Sequence, residues 1–129
     1  AYNIVQTPHH CSWRTLSYES WSGKGESAKE SADAVNALSQ ARKGAAIVAS
    51  SKLIQDEDSD PPCIRAKRTY TRIVQQLSVS GKFYCTGEYP KSTNVKPLVF
   101  EIDNVGVRVA NKAVIGAASI AASPNLRAG

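Results

Sequence analysis

The clearest periodic pattern in the chain is a stripe of apolar residues at helical spacing between residues 28 and 43. Apolar side chains recur three or four positions apart, at Ala28, Ala32, Val35 and Leu38. Ser27 precedes the stripe and Glu30 follows three residues later, an order that favours a capping box. Gly44 is well suited to end the helix. The pattern therefore predicts one main N-terminal helix, Ala28–Lys43.

Alternation of apolar and polar residues predicts strands in the second half of the chain. The longest such stretch is Ile64–Val79, whose apolar positions change phase at Ile73 and Val74, so we expect a bulge, a bend or two separate strands. Three shorter stretches follow, the last two joined as a hairpin: Phe83–Thr86, Leu98–Asp103 and Val105–Val109. These stretches predict an antiparallel meander.

The remaining segments are less regular. Ala45–Ile54 is compatible with a strand or a second helical stretch, and Asp56–Pro62 has the composition of an exposed turn. The Ala-rich tail after Asn111 is compatible with a last strand around Val114 and Ile115 or with a weak helix. The simplest architecture is an α+β fold, with the helix packed across one face of an antiparallel sheet.

Composition limits the protein class. The 129 residues, of which 42% are hydrophobic and 21% charged, fit one domain spanning 1–129 and argue against disorder. Apolar runs stay well short of the roughly 20 residues that a membrane span needs, so we expect a soluble protein. A formal net charge of +5 favours acidic partners such as phosphates or acidic proteins.

No catalytic or metal-binding constellation can be assembled from the sequence. His9 and His10 are the only histidines, and adjacent side chains in extended structure point to opposite faces. The acidic run that starts at Asp56 opens like a calcium loop, but it has Lys67 where a bidentate Glu is needed. We therefore expect a protein without enzymatic activity, cofactor or metal.

The three cysteines leave two possibilities open. Cys63 and Cys85 each border a predicted strand, so a disulfide between them is plausible and would contribute on the order of 3 kcal/mol for a loop of about 22 residues. Alternatively, these two and Cys11 are free buried thiols in a reducing compartment.

The densest basic patch is the candidate binding site. It contains four cations and one aromatic residue: Arg65, Lys67, Arg68, Tyr70 and Arg72. On a strand, Arg68, Tyr70 and Arg72 share one face, where cations flanking an aromatic ring could hold a phosphate backbone and stack a base. The same cations could instead pair with the upstream acidic loop or with an acidic protein.

Several segments together resemble a known family. The predicted helix is followed by Tyr70–Val74, Gly81–Tyr84, Leu98–Glu101 and Val107–Ala117. This order resembles the small secreted fungal ribonucleases, and more closely their catalytically inactive relatives, the RNase-like effectors of plant-pathogenic fungi. The resemblance implies one helix packed on a curved antiparallel sheet, and it implies secretion.

The catalytic positions of that family are not matched here. Thr71 or Arg72 stands in place of the catalytic Glu, Lys96 and Pro97 in place of the Arg, and residues 110–112 in place of the His. The family's disulfide to the C-terminus is also missing, because no cysteine follows Cys85. The resemblance therefore implies a secreted, monomeric pseudoenzyme that binds host RNA or a host protein, with a role in virulence.

Two other functions fit the same features. A virion coat or assembly subunit would suit the small size, the predicted meander and the Ala- and Ser-rich ends. A small secreted killer toxin is also α+β with cysteines, and its Ala-rich tail would contact a membrane. Both remain alternatives to the effector function.

Overall fold

A three-stranded parallel sheet lies at the centre of the computed structural model, which describes residues 1–110. Its strands are β1 (Tyr2–Gln6), β2 (Ala41–Lys52) and β3 (Lys82–Gly87), in the order β1-β2-β3. The prediction of a curved antiparallel sheet is therefore wrong. Parallel neighbours cannot be joined by tight turns, so the chain must cross over between them through helical segments.

The crossovers carry short helices. From β1 the chain runs through α1 (Trp21–Lys24) and α2 (Ala32–Leu38), and from β2 it returns to the sheet through α3 (Ile64–Val74). Three single 3₁₀ turns lie in the first crossover, at Pro8–His10, Trp13–Thr15 and Gly25–Ser27. The longest helix among these elements is α3, in the second half of the described chain.

The predicted main helix, Ala28–Lys43, is the second correction. Helix α2 covers only Ala32–Leu38, and its N-cap is Ser31, whose hydroxyl oxygen accepts the N–H of Ala34 at 3.2 Å. The chain then enters β2 at Ala41. Within this strand three alanines are buried between the neighbouring strands: Ala45, Ala46 and Ala49. Pairing on both sides of a central strand outweighs the helix propensity of alanine.

The predicted strand Ile64–Val79 is the third correction, because most of it forms α3. The buried side chains of this helix recur at helical spacing: Ile64, Ala66, Thr69, Tyr70, Ile73 and Val74. Thr69 and Tyr70 lie four residues before Ile73 and Val74, respectively, so the two pairs are on the same helix face. The change of phase that suggested a bulged strand is therefore the helical period of one buried face.

Two small antiparallel hairpins complete the described chain. β4 (Pro90–Lys91) pairs with β5 (Asn94–Val95), and β6 (Phe100–Ile102) pairs with β7 (Val107–Val109). The predicted hairpin between residues 98 and 109 is confirmed. The predictions for the tail, a last strand around Val114 and Ile115 or a weak helix, and membrane contact in the toxin alternative, lie outside the described residues.

The core lies between α3 and the sheet. Tyr70 of α3 stacks on Phe83 of β3, with ring centroids 6.4 Å apart. Beside them lie fully buried side chains from the central strand and the first crossover, such as Ile47 and Leu16. This packing fixes which side of α3 faces inward, and it leaves the opposite side to carry charge. Within residues 1–110 no helix has the length and apolar character needed to cross a membrane.

Candidate binding site

The exposed side of α3 forms one wall of a shallow charged groove. Arg65, Arg68 and Arg72 are three and four residues apart, which places them on one helix face. The opposite wall is the segment from Glu26 to Glu30 that leads into α2. Eight residues line the groove: Glu26, Ala28, Lys29, Glu30, Arg65, Arg68, Thr69 and Arg72.

Arg72 and Glu30 form the best-defined ion pair of the groove. The two guanidinium nitrogens of Arg72 donate to the two carboxylate oxygens of Glu30 at 3.0 and 2.7 Å, and the buried Thr69 hydroxyl donates a third bond at 2.6 Å. The Arg72 hydrogen bonds lower the pKa of Glu30 despite partial burial, and Thr69 adds to this effect. Reciprocally, Glu30 raises the pKa of Arg72. This bidentate pair joins α3 to the chain just before α2.

Arg65 also ties the two walls together. Its guanidinium donates to the backbone carbonyls of Gly25 and Glu26 at 3.2 and 3.0 Å. The same group lies over the Trp13 ring, 4.3 Å from its centroid, in a cation–π contact. Arg65 therefore holds the two walls of the groove together.

Arg68 and Lys29 are the cations least engaged by the protein. Arg68 meets Glu26 at 3.7 Å with both side chains mostly exposed, 57% and 68% of their area, so the pair contributes at most about 1 kcal/mol. Among the described residues, no carboxylate lies within ion-pair distance of the Lys29 ammonium group. These two cations are available to a ligand.

Two of the five predicted site residues lie outside the groove. Lys67 points away from it and forms a 2.9 Å ion pair with Glu88, just after β3. Tyr70 is only 1% exposed, packs on Phe83 and forms a 3.0 Å hydrogen bond between its hydroxyl and that of Thr15. Its ring offers no surface for a base to stack on, contrary to its predicted role.

The acidic partners of the arginines differ from those that the sequence suggested. The sequence suggested pairing with the loop at Asp56–Asp60, whereas Arg68 and Arg72 pair with Glu26 and Glu30. In the sequence Glu30 matches a capping box, a local signal that carries no information about its contact with Arg72, 42 residues further along the chain. Only the packing of α3 next to α2 brings these charges together.

The groove has the chemistry of anion binding. Guanidinium groups remain protonated at any pH relevant to proteins, so they attract anions but do not exchange protons. The partly buried carboxylate of the groove, that of Glu30, is occupied by three hydrogen bonds. The arrangement therefore suits recognition of phosphate or carboxylate groups.

The other chemically suggestive residues are dispersed. In the segment 1–110, no cluster of three or more His, Cys, Asp or Glu side chains could hold a metal ion. His9 and His10 lie in the same 3₁₀ turn, Pro8–His10, and the Nδ1 atom of His10 is within hydrogen-bond distance of the Ser50 carbonyl oxygen. All three cysteines are buried free thiols, so the predicted bridge between Cys63 and Cys85 is not present in this structure.

No protein-family model, curated protein or solved structure matches this chain. Its relation to the RNase-like effectors stays a prediction, and the parallel sheet is not the curved antiparallel sheet that this resemblance implied. The function of this chain is therefore inferred from the charged groove itself.

Proposed function

We propose that this protein acts by binding an acidic partner protein through the groove between α3 and residues 26–30, without catalytic turnover. The observation that carries the proposal is the charge balance of the groove. Four cations line it against two carboxylates: Lys29, Arg65, Arg68 and Arg72 face Glu26 and Glu30. The excess of two positive charges leaves the groove attractive to an incoming anion.

The groove is also arranged so that a ligand can replace one carboxylate of its internal ion pairs. The Arg72–Glu30–Thr69 bonds and the Arg65 contacts hold both walls in place before a ligand arrives. The exposed Arg68–Glu26 pair costs little to open. A carboxylate of a partner can thus replace Glu26 while the rest of the site stays fixed, which reduces the entropic cost of binding.

A protein partner is favoured over RNA by the position of Tyr70. Its burial removes the aromatic platform that single-stranded RNA recognition would use, and leaves only charge and guanidinium geometry. The ion pairs in the groove are already formed with carboxylates. The resemblance to secreted effectors places the partner in a host, and both secretion and the host target belong to this proposal.

Reversing the two available cations tests the function directly. We expect the Lys29→Glu/Arg68→Glu double variant to bind a polyglutamate peptide at least about tenfold more weakly than the wild type, equivalent to about 1.4 kcal/mol. The loss follows from replacing attraction by repulsion at the two side chains that the protein leaves available. Fluorescence anisotropy of a labelled peptide, measured over a series of salt concentrations, gives the affinities. Arg72 is left unchanged because its pair with Glu30 supports the fold.

A matched control separates this site from general charge effects. Lys91→Glu/Lys96→Glu makes the same change in net charge on two exposed residues, one in β4 and one just after β5, that do not line the groove. An equal loss of binding in the two double variants, or unchanged binding in the groove variant, contradicts the proposal. If a single-stranded RNA binds the wild type with a steep salt dependence and the peptide does not, the partner is a nucleic acid instead.

The alternative of a coat or assembly subunit is favoured by a separate observation. Four apolar side chains near the two hairpins are substantially exposed: Val95, Val99, Ile102 and Val105. Apolar side chains left exposed on a surface are candidates for contacts between subunits. If the protein assembles through this region, light scattering at micromolar concentration should show oligomers that Ile102→Lys/Val105→Lys disperses. A wild-type monomer under the same conditions contradicts assembly.

A further inference from the structure

Two of the buried cysteines are joined by a backbone hydrogen bond at the start of α3. Cys63 is the residue immediately before the helix, and its backbone N–H donates to the carbonyl oxygen of Cys11 at 3.0 Å. A backbone hydrogen bond of this length holds the two α-carbons within about 7 Å. Disulfides span α-carbon separations of about 4.4–6.8 Å. Both residues are 0% exposed and belong to the same core cluster.

The third thiol is engaged elsewhere. The sulfur of Cys85 on β3 contacts the end of β2, with the Ser51 hydroxyl at 3.2 Å and the Lys52 carbonyl oxygen at 3.3 Å. These hydrogen bonds hold the Cys85 sulfur at the end of β2. Three thiols permit one intramolecular bridge, and these contacts make Cys85 the one left over.

We propose that Cys11 and Cys63 form the disulfide of this protein and that Cys85 remains a free thiol. This pairing replaces the Cys63–Cys85 bridge expected from the sequence. The two thiols lose two protons and two electrons to a small disulfide oxidant such as glutathione disulfide. One sulfur–sulfur bond forms in the protein, and the oxidant leaves as two glutathione thiols.

The bridge would stabilise an unusual piece of backbone. His9, His10 and Cys11 all have positive φ angles, of 48, 56 and 70°, in a region that non-glycine residues seldom adopt. Such conformations persist only where the surroundings enforce them. A covalent bond from Cys11 to the residue before α3 fixes the end of this turn and joins the first crossover to the second.

The bond must form before the core closes. Attack on an oxidant requires the thiolate, and burial raises the pKa of Cys11 to about 12, with the nearby Cys63 and Cys85 adding to the rise. In the folded reduced protein both thiols are also closed to solvent. The disulfide is therefore a product of oxidative folding, as in a secretory compartment, rather than a switch of the folded protein.

Peptide mapping tests the pairing without ambiguity, because trypsin separates the three cysteines. They fall in the peptides Ala1–Arg14, Leu53–Arg65 and Phe83–Lys91. We expect full-length protein refolded with reduced and oxidised glutathione to yield Ala1–Arg14 linked to Leu53–Arg65 in mass spectrometry without reduction. A linked pair that contains Phe83–Lys91, or three unlinked peptides, overturns the proposal.

Variants with single cysteine replacements test the pairing even if the bridge itself affects folding. Cys85→Ser should retain the linked peptides and the rise in urea midpoint on oxidation, whereas Cys11→Ser and Cys63→Ser should lose both. A Cys11→Ser protein that gains stability on oxidation would show that Cys63 pairs with Cys85. Folded reduced wild type exposed to glutathione disulfide should form the link far more slowly than refolding protein does, and equal rates contradict formation before burial.

Discussion

Replacing Tyr70 with alanine should lower the free energy of unfolding by about 3–5 kcal/mol, the range for removal of a large aromatic side chain from a core. The ring is 1% exposed and stacks on Phe83, so its loss leaves a cavity between α3 and the sheet. Tyr70→Phe should cost only about 0.5–1.5 kcal/mol, because it removes only the hydrogen bond to Thr15.

Urea denaturation followed by circular dichroism measures both variants. Leu77→Ala is the control, because Leu77 follows α3 and is 93% exposed, so its loss should change stability by less than about 0.5 kcal/mol. A Tyr70→Ala variant as stable as this control would contradict the burial of the ring. It would favour instead the strand that the sequence predicted, with Tyr70 exposed.

Gly81→Ala should cost about 1–3 kcal/mol, the range for forcing extra volume into packed structure. A β-carbon at this position would collide with the carbonyl oxygen of Ala45 and lie 2.7 Å from a methyl group of Val74. The first of these atoms is backbone of the central strand and cannot rotate away. Gly81 thus permits the close approach with which the chain leaves α3 and enters β3.

Gly23→Ala is the matched control, because it adds the same methyl group. There the nearest atom is the hydroxyl oxygen of Ser20, at 2.9 Å, the end of a side chain that can adjust. Thermal or urea unfolding should show a change at Gly23 well below that at Gly81. Equal costs at the two positions would contradict a close backbone approach at Gly81.

The sequence predicted those elements whose signals are local. The hairpin between residues 98 and 109 is confirmed, and so is the strand predicted at Phe83–Thr86, which lies within β3. The two strands of the hairpin are only a few residues apart in the sequence, and the turn before β3 is directly adjacent to that strand. Short-range interactions of this kind are encoded in the segment itself.

The elements that failed depend on distant partners. The segment from Ile64 to Val74 contains β-branched and aromatic residues that favour a strand, but its buried positions recur as in a helix. For Ala45–Ile54 the sequence left a strand and a second helical stretch open, and the structure has the strand, as part of β2 between β1 and β3. In each case packing against residues far along the chain outweighed local propensity.

The candidate site divides in the same way. By itself the sequence determined that residues 65–72 form the densest basic patch, that the chain carries excess positive charge and that three cysteines can form only one bridge. Tertiary structure alone decided that Tyr70 is buried, that Glu26 and Glu30 face the arginines, and that Cys11 lies beside Cys63. The physical reason is range: charge and residue type belong to the sequence, whereas burial and pairing depend on which distant segments the fold brings together.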